Sequence, residues 1–238
     1  MDRGFGTAVV PVPSSRKASA RVALVELKEP ARSVISECFR QFGIETTILS
    51  GDAADRLRKE KFEACVVKLS APAGDVMESA RSSPSNSRIV IYGLGGSAQD
   101  ALRFSKYGVN AVFREPLERS TAMKLVRATQ MLVLHELRRY VRIPVITETS
   151  VNMTNENRRF VASSIEVSSG GMSMRSAEDV SVGQPLEISF SLLTLPRVWV
   201  RANVSWRNPM GKAFGIRFDS GDDRRKRIKD WVEGYLEN

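Results

Sequence analysis

The sequence predicts an α/β unit followed by an all-β unit: a doubly wound (βα)5 domain, then a small β-barrel with a C-terminal helix. Three observations carry this. Five short β-rich apolar runs alternate with helix-length stretches up to about residue 130, a long helical stretch follows, and beyond Pro144 the pattern becomes alternating strands separated by turn signals. At ~150 residues per domain, the 238 residues suit one or two domains. The change of texture argues for two.

The apolar runs are RVALVE from Arg21, IETTIL from Ile44, EACVVKL from Glu63, RIVIYG from Arg88 and NAVFR from Asn110. Their continuous apolar character suits parallel strands covered on both faces. Between the first two, Val34, Ile35, Cys38, Phe39 and Phe42 recur at helical spacing. From Thr121 to Arg139 the helical stretch has two apolar faces, Leu125, Val126, Leu132 and Val133 on one, Met131, Leu134 and Leu137 on the other. A surface helix needs only one apolar stripe, so the second face points to self-association. The segments ITETSVNM, FVASSIEVS, PLEISFSLL, RVWVRANVSW and AFGIRF then alternate as half-buried strands, and Asp222 and Asp223 open a terminal helix with Ile228, Trp231, Val232 and Tyr235 on one face. The expected organisation is a flexible arm at 1–19, an α/β domain at 20–130, a helical linker at 131–142 and a barrel domain at 143–238.

Composition narrows the function. With 42% hydrophobic and 26% charged residues the chain has an ordinary globular mixture. No apolar run reaches the ~18 residues of a membrane helix, and the opening MDRGFGTAVVPVPSS is interrupted by two prolines, so a soluble cytoplasmic protein is expected. Cys38 and Cys65 lie in apolar segments without metal-like spacing and read as buried free thiols. His135 is the only histidine and sits in the helical run MLVLHELRR, which leaves no Ser-His or Cys-His nucleophile system. CxxC, HExxH and GxxxxGKS runs are absent, and Gly93, Gly95 and Gly96 lack dinucleotide-fingerprint spacing. No catalytic residues, metal ligands or cofactors are expected. The net charge of +9 favours an anionic partner. Nucleic acid is disfavoured, because the basic run from Arg224 adjoins Asp222 and Asp223 as a solvated helix face and no DNA-binding motif accompanies it.

The five-unit alternation, with proline after the fifth strand in FREPL, resembles the response-regulator receiver family over about residues 20–130. That resemblance places the phosphoacceptor aspartate at Lys68, the magnesium-binding acidic pair at Glu26 and Leu27, the hydroxyl position at Tyr92 or Gly93, and the conserved lysine at Glu115. An ammonium group cannot form an acyl phosphate, and one carboxylate beside a cation is no magnesium site. A phosphorylation-incompetent pseudo-receiver serving dimerisation or partner docking is expected, with Lys68 paired to Glu26 or Glu115 in reversed polarity or extended into solvent.

The segments LRRYVRIPV, IEVSSGGMSM and VSWRNPMGKAFGIRF resemble the PilZ family over about residues 136–238. The resemblance implies a six-stranded barrel that binds cyclic di-GMP through RxxxR, matched by Arg138 and Arg142 with Arg139 adjacent, and through [D/N]xSxxG, matched by Ser168 and Gly171 with Glu166 in the Asp/Asn position. Arginine suits the ligand because its planar guanidinium forks onto phosphate oxygens or guanine O6 and N7. Ser168 offers a hydroxyl, Gly170 and Gly171 offer close backbone approach and positive φ, and Trp206 offers a face to guanine. The expected protein is a non-enzymatic receptor that signals by interdomain change. The alternative is an adaptor in which both domains have lost their ligands.

Overall fold

A computed structural model describes residues 10–11, 19–70, 73–156, 158–210 and 212–237. The chain divides into two compact units, 19–137 and 138–238, the latter including 1–18. The division falls within the segment read as a linker. Of the expected arm, Val10–Pro11 form a short strand, β1, and the rest up to residue 18 lies outside the described residues.

In the first unit the five apolar runs become β2 (Arg21–Val25), β3 (Glu45–Leu49), β4 (Ala64–Lys68), β5 (Val90–Leu94) and β6 (Val109–Phe113). They form a parallel sheet in the order β3-β2-β4-β5-β6, which is the 2-1-3-4-5 order of doubly wound receiver-like sheets. Period-two alternation sends side chains to opposite faces. Val22, Leu24, Val66 and Tyr92 pack with Phe39 and Phe113 on one side; Ala23, Val25, Cys65, Val67 and Ile91 pack with Leu57, Met77 and Phe104 on the other. Both cysteines are buried free thiols, and burial pushes Cys65 up to about 12.

The covering helices are α1 (Ala31–Arg40), α2 (Ala53–Lys59), α3 (Ala73–Ser82), α4 (Ala98–Phe104) and α5 (Arg119–Tyr140). Ser97 caps α4 in a reciprocal capping box with Asp100. Buried Asn86 is fully used: its Oδ1 accepts from the Phe62 amide at 3.0 Å, and its Nδ2 donates to the Leu57 and Glu60 carbonyls. On α5 the buried residues are Ala122, Val126, Val133 and Glu136, whereas Met131 and Leu132 are 54% and 45% exposed. Leu132 therefore does not share the face of Val133, as the sequence reading expected. At 3.6 residues per turn the seven-residue step from Val126 to Val133 preserves a face, and a one-residue offset rotates it by ~100°. His135 is exposed on this helix.

In the second unit β8 (Glu148–Met153), β9 (Arg158–Ser168), β10 (Gly171–Arg175), β13 (Ala213–Phe218), β12 (Leu195–Asn208) and β11 (Pro185–Leu192) pair antiparallel in that order, and β8 pairs again with β9 and β11. This closes a six-stranded barrel. The strand β7 (Ile143–Ile146) adds to β9 on the outside, and β1 adds to β7. Most inward positions of the barrel are apolar, with Met172, Met174, Ile188, Phe190, Val200, Phe214 and Ile216 buried, while Thr149 of β8 and Ser164 of β9 are buried polar side chains. The final helix, α6 (Arg225–Glu237), buries Ile228 and Val232, while Trp231 stacks on Tyr235 at the surface.

Candidate functional site

The receiver-like unit brings only part of its expected pocket together. Lys68 ends β4, and its Nζ lies 3.9 Å from Glu115 Oε1, with the two side chains 56% and 45% exposed. Solvent-exposed pairs of this length contribute ~0–1 kcal/mol. Glu26 forms no ion pair with Lys68 among the described residues; its backbone takes a left-handed φ of 51° and its amide donates to the Leu49 carbonyl. Tyr92 does not reach the pocket. Its ring is fully buried between Phe39 and Phe113, its hydroxyl donates to Thr129 Oγ1 at 2.8 Å, and burial raises its pKa to about 12. Gly93 lies under Leu69, while Gly95, at φ 66°, leaves no room for a Cβ beneath the Glu115 carboxylate. No group of metal-ligating side chains occurs among the described residues.

The barrel unit assembles its motif residues differently, by strand register. Pairing of Ile143 with Val167 and Pro144 with Glu166 carries one residue further to place Arg142 opposite Ser168. Ser168 pairs with Gly171, Gly171 with Arg217, and Arg217 with Asn203. A second row runs Pro144, Glu166, Ser173, Gly215, Trp206. Residues facing each other across antiparallel strands share a face, and Val167, Met172, Ile216 and Val204 between these rows point into the core. Both rows therefore lie on the barrel exterior. Segments distant in the chain form one patch there, five strands wide.

The chemistry of each group is specific. Arg138 and Arg139 occupy the last turn of α5, with Arg139 5.9 Å from the Tyr140 ring centre. Arg142 is exposed and donates from Nη1 to the carbonyls of Arg139 (3.3 Å) and Val141 (3.2 Å), so it meets carbonyls that a helix end leaves unpaired. Ser168 is buried, and its hydroxyl donates to the Gly171 carbonyl at 3.0 Å. Its proton is thereby committed, and what it offers a ligand is lone pairs suited to an N–H donor. Glu166 is half-buried, with no hydrogen bond or ion pair among the described residues.

The glycines differ from expectation. Neither Gly170 nor Gly171 takes positive φ, because the turn between β9 and β10 is made without a left-handed residue. Close approach does hold at Gly171, where a Cβ would run into the Ile216 carbonyl of β13; at Gly170 nothing lies within 4 Å. Trp206 is 45% exposed and leans across the strand onto Gly215, where a Cβ would fall 2.8 Å from its Cδ1. That contact covers a glycine and leaves much of the indole in solvent.

Sequence inspection missed Arg217, Ser173 and Asn203. The alternation in AFGIRF does mark Arg217 as outward, but adjacency to Gly171 depends on which strand pairs with β13.

A sheet of 2-1-3-4-5 order with covering helices, then a closed six-stranded antiparallel barrel with a C-terminal helix, define a receiver-like domain joined to a small β-barrel domain. The family model for the PilZ domain matches residues 136–234, and this part of the chain is a PilZ domain. A comparison with curated proteins found no match. Among solved structures, the chain is similar to the chemotaxis response regulator CheY4 of Vibrio cholerae, at 16% identity over 47% of this chain and 98% of that one, with a TM-score of 0.42. The receiver domain of sensor histidine kinase PA1611 from Pseudomonas aeruginosa is similar at 20% identity over 49% and 98%, with a TM-score of 0.41. The PilZ domain of CeSA from a cellulose-synthesizing bacterium is similar at 16% identity over 41% and 99%, with a TM-score of 0.35. No helix among the described residues is long and apolar enough to cross a membrane.

Proposed function

We propose that the protein is a non-enzymatic cyclic di-GMP receptor whose ligand rests on the exterior patch of the PilZ barrel, with Arg138, Arg139 and Arg142 on one side of the β9–β10 turn. The observation that carries this reading is the single row Arg142, Ser168, Gly171, which unites the two motif segments on one face. The arginines take phosphate oxygens or guanine edges. Glu166, aimed outward without a partner, is a pair of acceptors for guanine N1–H and N2–H, and Ser168 adds a lone pair. Arg142 must leave the Arg139 and Val141 carbonyls to grip the ligand, so occupancy changes the connection between α5 and β7. That release is the proposed conformational output. Calorimetric titration of the full chain with cyclic di-GMP tests the reading directly: saturable heat supports it, and no heat at high protein concentration rejects it.

One observation favours an adaptor without a ligand. Arg142 and the Ser168 proton are both satisfied internally, as they would be in a barrel that keeps its motif residues for folding alone. The same titration separates the two.

The receiver-like unit is proposed to act without phosphorylation. Incubation with acetyl phosphate and magnesium is expected to leave the intact mass unchanged, because Lys68 stands in the acceptor position; a gain of one phosphoryl group would overturn this. Self-association is proposed through the α5 face that exposes Ala128, Met131 and Leu132. Sedimentation of Met131→Asp is expected to show a lighter species than the parent chain.

A further inference from the structure

Arg217 is the cation on the barrel exterior that the motifs leave unassigned and the register places against them. It pairs across the ladder with Gly171 and lies on the same face as Ser168. With Gly171 lacking a side chain, nothing on β10 stands between Arg217 and the β9–β10 turn. Trp206 stands one row away on the neighbouring strand, opposite Gly215.

Several arginines of this unit have acidic partners: Arg158 pairs with Glu178, Arg201 with Asp219, Arg207 with Asp179, and Arg224 with Asp222 and Glu187. Arg159 and Arg175 have none among the described residues, but they face Asn152 and Ala213, away from the Ser168–Gly171 row. Arg217 is exposed and has neither hydrogen bond nor ion pair among the described residues. A guanidinium with free donors beside a half-exposed indole is the combination that recognises a base, one group taking the edge and the other the face. Strands lie ~4.8 Å apart, so Arg217 and Arg142, three strands apart, approach a ligand centred on Gly171 from opposite sides.

We infer that Arg217 is a specificity-determining residue of the nucleotide site, forking onto O6 and N7 of the guanine that stacks at Trp206. Glu166, in the Trp206 row, faces the opposite edge of that base with its acceptors. The assignment rests on the receptor reading above. It adds a cation on the far side of the glycine turn, where the arginines at the end of α5 do not approach.

Calorimetry with two ligands on the full chain tests it: cyclic di-GMP, and its analogue with 7-deazaguanine in place of both guanines. The phosphates are identical, and only the N7 acceptors are lost. Arg217→Ala is expected to weaken cyclic di-GMP about ten- to hundredfold, within the range for one bidentate base contact. The penalty for the analogue should be smaller in Arg217→Ala than in the parent chain, because the group that senses N7 is gone. Thermal melting should not move, since the side chain has no partner to lose.

Unchanged cyclic di-GMP affinity in Arg217→Ala would overturn the assignment while leaving the receptor reading intact. An undiminished analogue penalty would make Arg217 a phosphate contact and would also overturn it, and loss of affinity matched by loss of melting temperature would make it structural. Absence of heat in the parent chain would sink both readings together.

Discussion

Arg142→Ala should weaken cyclic di-GMP binding by about 1.5–3 kcal/mol, the range for hydrogen bonds to charged groups, or roughly 10- to 150-fold. The guanidinium is exposed at the end of the Ser168–Gly171 row, and its present bonds to the Arg139 and Val141 carbonyls are long, at 3.3 and 3.2 Å. Exchanging them for charge-assisted bonds to phosphate or guanine is therefore favourable. The same substitution removes a cation from a helix C-terminus, an effect of ~0.3–1 kcal/mol on stability. Affinity should consequently fall much further than the melting temperature, and calorimetry paired with a thermal melt reads both. Lysine at this position should restore little, because it keeps the charge and loses the planar fork. An Arg142→Ala chain that binds as tightly as the parent would remove this residue from the site.

Asp222→Ala should produce the largest loss of stability, about 2–4 kcal/mol, because each donor that loses its only acceptor costs ~1–3 kcal/mol when buried and less where water reaches it. Asp222 is only 4% exposed. It accepts from the Arg201 amide at 2.8 Å, the Arg224 amide at 3.0 Å, and the Arg224 guanidinium at 2.9 Å through Nε and 2.8 Å through Nη2. It thereby ties β12 to the start of α6. Alanine would leave the Arg201 and Arg224 amides without their acceptor and the Arg224 guanidinium with Glu187 alone, against a total domain stability of ~5–15 kcal/mol. Urea unfolding at neutral pH measures the loss. The hydrogen bonds from Arg224, ahead of the opposing effect of burial, hold the Asp222 carboxyl well below the usual carboxylate range.

The folded pKa of Asp222 is thus depressed, so its contribution is present above the unfolded value, 3.8 for this group, and fades as pH falls below it. The receiver-like unit has a counterpart in Glu60, lowered from 4.5 to about 2 by its bond to Arg56 at 2.6 Å. Acid should weaken both units, and Asp222→Ala should flatten only the barrel's share of that decline. Melts at pH 7 and pH 3 of the parent and variant chains supply the comparison. An equal pH dependence in the two would show that Asp222 is not the barrel's acid-sensitive group.

The strands were legible where burial forces a pattern on the residues. ACVVK and VIYGL are continuous apolar runs because both faces of a central parallel strand are covered. Alternation in β11 and β12 followed from a barrel with one wet face. The segments proposed as the ligand site stood out in the sequence because arginine, serine and glycine recur there at short fixed spacings. Local patterns failed where a third element intervened. Tyr92 occupies a position read as part of the pocket, yet its ring belongs to the core between Phe39 and Phe113, because strand period sends it to the α1 and α5 side. Gly171 is demanded by the Ile216 carbonyl of a strand far along the chain, and a turn signal cannot announce that.

Residue order alone determined that the chain holds a receiver-like α/β unit with Lys68 at the end of its third strand and a PilZ barrel preceded by Arg138, Arg139 and Arg142, since periodicity and side-chain type are local properties. Only the tertiary structure decided that Arg142, Ser168, Gly171 and Arg217 share one exterior row and that Trp206 covers Gly215. Register is set by hydrogen bonding between strands distant in sequence, and a slip of one residue would send each of these side chains to the other face.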